Sequence, residues 1–165
     1  MKSTLQDVYI QAIFLYHEGM KISNAKAFHD YHILDRVEAG INLMGSEVKA
    51  VRLGHADLHG SFVRIMGSEA YLVNAKIFPY QYAQPDGYDP RRRRKLLLHK
   101  KEIFALKSKI EAGSLTIVPI SLYTKEHLIK LELALAKAKK QYEKREELKR
   151  RQVERDIEIA LKDEQ

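Results

Sequence analysis

Residues 61–74 read SFVRIMGSEAYLVN and carry the clearest strand signal in the chain. Two runs rich in β-branched and aromatic residues flank Gly67 and Ser68, a two-residue connection of the kind that joins antiparallel strands. These residues therefore predict a β-hairpin with strands over 61–66 and 69–74.

Upstream of the hairpin, the composition favours short elements separated by glycine. Residues 32–38 predict a strand that ends at Gly40, and residues 41–44 form a separate short apolar run. Residues 45–53 (GSEVKAVRL) predict a short helix that Ser46 can cap.

Downstream of the hairpin, residues 84–90 contain two prolines and a glycine and predict a loop. Residues 99–112 have apolar side chains at helical spacing and predict a helix, and residues 115–123 and 128–135 predict two more strands. Five or six short strands with one or two helices favour a mainly β fold, namely a small closed barrel. An OB-type and an SH3-like barrel both fit, and periodicity does not choose between them.

The chain divides into three parts by composition. Residues 1–19 are expected to be an N-terminal extension and residues 20–136 the barrel. Residues 137–165 form a basic tail with ten Lys or Arg and eight Asp or Glu, and without glycine or proline. The thin apolar stripe of Val153, Ile157, Ala160 and Leu161 buries little surface, so we expect the tail to be disordered alone and helical against a partner. The alternative is a solvated helix docked on its own barrel.

The net charge of +7, from 29 basic and 22 acidic residues, points to a polyanionic partner. Residues 91–101 (RRRRKLLLHKK) carry seven positive charges and no acid, and arginine binds phosphate with two parallel hydrogen bonds. We expect these guanidinium groups to face outward and bind phosphate groups. The candidate residues are Arg91, Arg92, Arg93, Arg94 and Lys95.

Catalytic and metal-binding patterns are missing from the sequence. The chain has no cysteine, its seven histidines are scattered, and it contains neither a G-x-S-x-G motif nor a phosphate-binding glycine loop. We therefore expect no enzyme activity, no metal, no cofactor and no small-molecule substrate. No apolar stretch reaches the roughly 20 residues of a membrane helix, and the lack of cysteine fits a cytoplasmic protein without a membrane partner.

Five separated motifs, in this order, resemble those of the SsrA-binding proteins, also called small protein B. They are NAKAFHDYHI (24–33), EAGINLMGSEVKAVRLG (38–54), DPRRRRKLLLHKKEI (89–103), LTIVPISLY (115–123) and AKAKKQYEKRE (136–146). The resemblance implies an OB-type barrel that binds the tRNA-like domain of transfer-messenger RNA during trans-translation. It also implies a tail that enters the empty mRNA channel of a stalled ribosome, near the decoding centre of the small subunit.

The resemblance also implies functional residues. The positions that match RNA-binding residues of the family are Asn24, His29, Glu38, Leu97, His99 and Lys130. The ribosome-contacting tail is expected to use the basic and motif residues Lys137, Lys139, Lys140, Tyr142, Glu143, Lys144, Arg145 and Ile157. Tyr142 is open to two interpretations, since it can stack on a base or pack on the barrel.

Three positions depart from the family pattern. Phe28 stands where an arginine is usual, His99 stands where asparagine or a basic residue is common, and Ala138 stands at the expected hinge glycine. Phe28 therefore removes a phosphate contact, and Ala138 stiffens the base of the tail. Two other classes of protein remain as alternatives, a small structural ribosomal protein and an RNA-processing nuclease.

Overall fold

A computed structural model describes residues 20–82 and 86–163 of the protein. The expected N-terminal extension, residues 1–19, lies outside the described residues, as does part of the predicted loop over residues 84–90. Within the described part of the chain, no helix is both long enough and apolar enough to cross a membrane.

The described residues form nine strands and four helices. The strands are β1 Lys21–Ser23, β2 Tyr31–Ile41, β3 Ala56–Asp57, β4 Phe62–Met66, β5 Glu69–Val73, β6 Lys76–Ile77, β7 Arg94–Leu97, β8 Thr116–Lys125 and β9 Leu128–Ala138. The helices are α1 Ala25–Asp30, α2 Gly45–Arg52, α3 Lys100–Gly113 and α4 Gln141–Asp163. The mainly β class predicted from the sequence is confirmed.

Seven strands form one antiparallel sheet in the order β1-β8-β4-β5-β7-β2-β9, and β8 also pairs with β9. Because of that additional pairing, six strands form a closed circuit of neighbours, β8-β4-β5-β7-β2-β9. Strand β1 lies outside the circuit on β8, and β3 and β6 form a separate two-stranded ribbon. The β4–β5 pair is the predicted hairpin, and Gly67 at its turn has a φ of +60°.

The core lies inside the circuit and takes alternate residues from its strands. Its largest apolar members are at most 2% exposed: Leu72, Leu96, Ile117, Leu122, Leu131 and Leu133. Helix α3 buries Ile103 and Leu106, and α2 buries Ala50 and Val51. The predicted helices over residues 45–53 and 99–112 are therefore confirmed as α2 and α3.

The prediction that a strand ends at Gly40 is wrong, because β2 runs without interruption from Tyr31 to Ile41. Gly40 is paired on both sides, with Leu97 and with Lys130. A Cβ at this position would lie 3.1 Å from the Leu97 Cβ, so the glycine permits close approach between neighbouring strands.

The predicted cap of α2 is also wrong. Helix α2 follows Met44 as its N-cap residue, and Ser46 already lies within the helix. The Met44 backbone N–H donates to the Glu47 carboxylate at 2.8 Å. An acidic residue in the first turn thus supplies the acceptor that we expected from the serine.

A buried ion pair joins α2 to β7. The Glu47 side chain is 1% exposed and the Arg94 side chain is fully buried, with Arg94 Nε donating to Glu47 Oε1 at 2.9 Å. The remaining Arg94 donors reach the backbone oxygens of Ala75 at 2.8 Å, Pro90 at 2.9 Å and Arg92 at 3.0 Å. The Arg92 side chain is half-buried and also donates to Glu47, with its Nε 2.9 Å from Oε1.

The prediction that the whole arginine run faces outward is therefore wrong for Arg94 and Arg92. Side chains alternate across a strand, so β7 directs Arg94 and Leu96 inward while Lys95 and Leu97 face solvent. A guanidinium at an inward position is tolerated because Glu47 and the backbone oxygens satisfy its donors.

Several opposing effects act on the pKa of Glu47. Burial raises it, while the hydrogen bonds from Arg92 and from the Met44 backbone, together with the charge of Arg94, lower it, and the net shift is downward. A carboxylate whose pKa is depressed on folding contributes stability above its ordinary pKa. That contribution is lost as the pH falls through the folded-state value.

We expect Glu47→Gln to reduce the free energy of unfolding by about 3 kcal/mol, because it leaves Arg94 buried without a counter-ion. Urea denaturation at neutral pH measures the loss. Glu111→Gln is a matched control, since Glu111 is exposed on α3 and should change stability by less than about 0.5 kcal/mol. Equal stability of the Glu47→Gln variant and the parent protein would contradict the role given to this pair.

Candidate RNA interface

One row of residues crosses four neighbouring strands on the outer surface. Leu97 on β7 lies opposite Gly40 on β2. Gly40 lies opposite Lys130 on β9, which in turn lies opposite Tyr123 on β8. Directly paired residues share a face of the sheet, and the residues next to them in sequence, such as Leu96 and Leu131, point into the core. We call Leu97, Gly40, Lys130 and Tyr123 the cross-strand row.

Glu38 joins the cross-strand row, because it precedes Gly40 by two positions and so points to the same face. Its carboxylate accepts a hydrogen bond from the Tyr123 hydroxyl. Lys130 Nζ lies 3.7 Å from Glu38 Oε1, and Lys125 Nζ lies 3.5 Å from Oε2. Glu38 therefore holds two ammonium groups and one hydroxyl in a fixed arrangement on the surface.

The pKa values of Glu38 and Tyr123 are displaced from their ordinary range. The hydrogen bond from Tyr123, followed by the charges of Lys125 and Lys130, lowers the pKa of Glu38. Burial, and then the hydrogen bond to Glu38 and its charge, raise the pKa of Tyr123 to about 12. At neutral pH the cluster is therefore a carboxylate, a neutral phenol and two ammonium groups, which offer both donors and acceptors to a nucleotide.

An apolar surface lies beside these charges. Leu97 is 57% exposed and Leu128 is 60% exposed, and both line an open groove that Gly40 and Lys130 also line. Large exposed apolar side chains next to an ammonium group suit an unstacked base whose phosphate meets the lysine. An apolar contact to a base and an ionic contact to a phosphate are therefore available within one groove.

Among the outward members of the basic run, Lys95 lies on β7, while Arg91 and Arg93 come just before that strand. Lys95 pairs with Glu69, and the Arg93 guanidinium lies 4.0 Å from the Met66 sulfur. The side chains of Arg91 and Arg93 are exposed and form no ion pair with a carboxylate of the described chain. These two arginines, rather than all four, present their full charge to a ligand.

His99 is the N-cap residue of α3, two positions beyond Leu97. Its backbone N–H donates to Glu102 at 2.8 Å, which begins the helix and leaves the His99 residue exposed. The structure thus brings Glu38, Leu97 and Lys130 to one face of the sheet, with His99 exposed two positions beyond Leu97.

Asn24 is the clearest exception among the RNA-binding residues that the resemblance implied. It is 6% exposed, and its amide nitrogen donates to the backbone oxygens of Leu58 at 3.2 Å and Pro119 at 2.9 Å. Its side-chain oxygen accepts from the Ala27 backbone N–H at 3.3 Å and caps α1. The Asn24 side chain therefore fixes α1 against β8, and its part in RNA binding stays a prediction.

His29 lies far from the cross-strand row. It is in α1, just before β2 begins at Tyr31, whereas Gly40 lies near the other end of that strand. Nine residue steps at about 3.3 Å separate the two ends by about 30 Å. His29 Nδ1 lies 3.0 Å from Asp30 Oδ1, and its buried Nε2 has no hydrogen-bond partner within the described residues.

The base of the tail is docked next to His29. Lys139 Nζ donates to the Phe28 backbone oxygen at 2.9 Å and to Glu147 Oε2 at 2.7 Å. Lys144 Nζ lies 3.1 Å from the same Asp30 oxygen that His29 contacts. Burial raises the pKa of Asp30, but the hydrogen bonds from His29 and Lys144 outweigh burial, and the net shift is downward. A set of ion pairs therefore sets the direction in which the tail leaves the sheet.

The other tail residues are mostly exposed. Lys137 and Ala138 end β9, so the expected hinge position is paired with Tyr31 in the sheet. Glu143 accepts from the Lys140 backbone N–H at 2.6 Å and lies 3.5 Å from His32. The exposed residues of α4 include Tyr142, Arg145, Val153, Ile157 and Leu161. Each of the apolar side chains among them is more than half exposed. The sequence left the tail either disordered alone or helical and docked on the barrel. In the structure the tail is a helix that is docked at its base.

Phe28 has a cationic neighbour, Arg36, which also pairs with Glu132 at 3.2 Å. The guanidinium of Arg36 lies 5.8 Å from the centre of the Phe28 ring, within the range of a cation–π contact. A positive charge is therefore held over the position where an arginine is usual.

Sequence reasoning missed three residues that complete the site. Tyr123, Lys125 and Leu128 have no distinctive local pattern, and only the register of β8 with β9 places them beside Glu38 and Lys130. The sequence predicts Gly40 only as a strand end, and its close approach to Leu97 is visible only in the folded sheet. Among residues 20–82 and 86–163, no group of three or more histidine or acidic side chains could hold a metal ion.

We expect Glu38→Gln to lower the pKa of Tyr123 from about 12 toward its ordinary value of 10.0, because the carboxylate favours the neutral phenol. Ultraviolet titration of tyrosinate, with a Tyr123→Phe background subtracted, measures the shift. Glu69→Gln is the matched control, since Glu69 contacts Tyr71 and should leave Tyr123 unchanged. An unchanged Tyr123 titration in Glu38→Gln would mean that the two groups are not coupled.

Comparison with known proteins connects this geometry to a family. The family model described as SmpB protein matches residues 21–163. An SsrA-binding protein of Sulfurihydrogenibium sp. is 52% identical over 145 residues, which cover 88% of this chain and 95% of that protein. An SsrA-binding protein of Geotalea uraniireducens is 47% identical over 146 residues, covering 88% and 97%.

A solved structure agrees with these relatives. It is described as "tmRNA-SmpB: a journey to the center of the bacterial ribosome". Its matching chain has a TM-score of 0.63 and 46% identity, and the match covers 74% of this chain and 86% of that one. The sequence matches and the structural match therefore agree with each other, and the chain belongs to the SmpB protein family.

Proposed function

We propose that the protein binds transfer-messenger RNA and works with it in trans-translation, the rescue of stalled ribosomes. The observation that carries the proposal is the cross-strand row with Glu38, which gathers residues from three separate family motifs, together with Lys130, on one exposed face. The family's relatives are named for SsrA, and the matching solved structure is described as transfer-messenger RNA with SmpB on the ribosome.

The sheet carries the RNA contact in this proposal. Leu97 and Leu128 offer an apolar surface to an unstacked base of the tRNA-like domain, and Lys130 meets a phosphate. Glu38 accepts from a base or a 2′-hydroxyl and thereby adds discrimination. The outward cations that position the RNA are Arg91, Arg93 and Lys95, with His99 next to them.

The tail carries the ribosome contact. Its exposed cations and its exposed apolar stripe are available to the mRNA channel and the decoding centre of the small subunit. The exposed residues proposed for this contact are Lys137, Lys140, Tyr142, Arg145 and Ile157, while the partly buried Lys139, Glu143 and Lys144 hold the base of the tail. The ion pairs from Asp30 to Lys144 and from Lys139 to Glu147 support a tail whose base has a set direction before it meets the ribosome.

The finer description of the fold belongs to the same proposal. The closed circuit of six antiparallel strands supports an OB-type barrel over residues 20–136, with α4 as a separate functional part. We propose that the protein acts by binding in the bacterial cytoplasm and catalyses no reaction itself.

We expect two kinds of RNA-binding variant to behave differently. Changing both Arg91 and Arg93 to Gln should weaken RNA binding by roughly 1–3 kcal/mol for each charge-assisted hydrogen bond to phosphate that is lost. The same change should reduce the slope of log affinity against log salt concentration by about 2. Leu97→Ala should weaken binding by about 1 kcal/mol and leave the slope unchanged, because it removes apolar surface only. Filter binding of a tRNA-like-domain transcript over a range of salt concentrations measures both quantities.

The control for the arginine variant is Arg150→Gln, which removes one positive charge from the exposed part of α4 and should leave affinity unchanged. Full affinity in both the arginine and the Leu97 variants would rule out this face as the RNA contact. If only the Arg150→Gln control lost affinity for the transcript, the RNA contact would have to be assigned to the tail instead.

We expect truncation after Lys140 to preserve RNA affinity within about twofold while abolishing peptide tagging on ribosomes stalled without a stop codon. This cut leaves β9 intact through Ala138 and removes only α4. The two readouts are filter binding and tagging in a reconstituted translation system. A truncated protein that still supports tagging would contradict the role given to the tail.

A further inference from the structure

An exposed phenylalanine lies outside the surfaces described above. Phe104 on α3 is a large apolar side chain that is 73% exposed. It lines an open groove of about 480 Å³ between α3 and the β4–β5 turn at Gly67 and Ser68. Ile103 forms the inner part of this groove and is buried against the core.

Three lysines surround the ring. Lys100 and Lys107 lie one turn before and one turn after Phe104 on the same helical face, and Lys101 lies three positions before it. None of the three forms an ion pair with a carboxylate in the part of the chain that the structure describes, and the residues lining the groove include no acid. The groove therefore combines an accessible aromatic face with three uncompensated positive charges.

This combination fits one class of ligand best. A nucleotide offers a flat apolar base to stack on the ring and a phosphate on either side to meet the ammonium groups. An acidic peptide would meet the lysines but would give Phe104 no stacking partner. The small residues at the β4–β5 turn leave room for the base, since a Cβ at Gly67 would meet no atom within 4 Å.

The position of the groove indicates which RNA supplies the nucleotide. Lys100 follows Leu97 by three positions, and β5, which begins directly after the turn, pairs with β7 from Ala70↔Leu96 onward. The groove therefore adjoins the cross-strand row at its Leu97 end. We propose that it binds an unpaired nucleotide of transfer-messenger RNA, which stacks on Phe104 next to the RNA held at Leu97; this rests on the function proposed above.

Fluorescence can test the stacking directly in the full chain. Because the sequence contains no tryptophan, Phe104→Trp introduces a single tryptophan at the groove, and excitation at the red edge of its absorption selects it over the nine tyrosines. Adding the tRNA-like-domain transcript of transfer-messenger RNA should quench this emission, and the affinity should match that of the parent protein. Phe62→Trp, at a 40% exposed position on β4, is the matched control and should not be quenched.

Affinity supplies the second readout. Phe104→Ala should bind the transcript about 5- to 150-fold more weakly, the range that corresponds to losing one base–aromatic stack of about 1–3 kcal/mol. Phe62→Ala should bind like the parent, and unchanged thermal melting should show that both variants fold. Parent-like binding by Phe104→Ala, together with an unquenched Phe104→Trp, would overturn the proposal.

Two other occupants would also overturn it. Quenching by vacant ribosomes but not by the transcript would assign the groove to ribosomal RNA. A concentration-dependent change in emission without any RNA would assign it to a second copy of the chain. Failure of the parent protein to bind the transcript at all would instead refute the proposed function, so the two failures are distinguishable.

Discussion

The buried ion pair between Glu47 and Arg94 is the constraint on which the rest of the structure depends. It joins α2 to β7, and the other Arg94 donors hold the backbone at Ala75 and Pro90. A charge without water is tolerated only where every donor finds an acceptor, so these segments must keep one arrangement. Once Arg94 is fixed inward, the alternation of β7 fixes Lys95 and Leu97 outward, and the exposed surface follows from a buried contact.

Strand register then assembles a site from distant parts of the chain. Leu97, Gly40, Lys130 and Tyr123 come from four strands, yet they form one row because their strands pair side by side. The same long strand β2 separates two surfaces. One end meets the cross-strand row, and the other end meets the base of the tail at Asp30. A rigid strand of about 30 Å thus fixes the spacing between the proposed RNA contact and the proposed ribosome contact.

The sequence predicted local structure well and the arrangement of charges less well. The β4–β5 hairpin, α2 and α3 follow from turn residues and periodicity, which are local signals. The inward direction of Arg94 was not predictable from a run of five like charges, because its partner Glu47 lies 47 positions away. Asn24 illustrates the same limit, since its cap on α1 is local but its bonds to Leu58 and Pro119 require the folded sheet. Of the residues implied by the resemblance, Glu38, Leu97 and Lys130 lie together because of the register of their strands. No single motif contains that register.

The tail shows how a helix with little buried surface can keep a direction. Most of α4 is exposed, and pairs such as Arg150 with Glu154 and Lys162 with Glu158 contribute only about 0.3–0.5 kcal/mol each. The contacts at its base are better protected, since Lys139 is bonded to both Glu147 and the Phe28 backbone oxygen. Stability therefore decreases from the base toward residue 163. A tail of this kind starts in a defined direction from the sheet, while its distal turns can adapt to the surface that they meet.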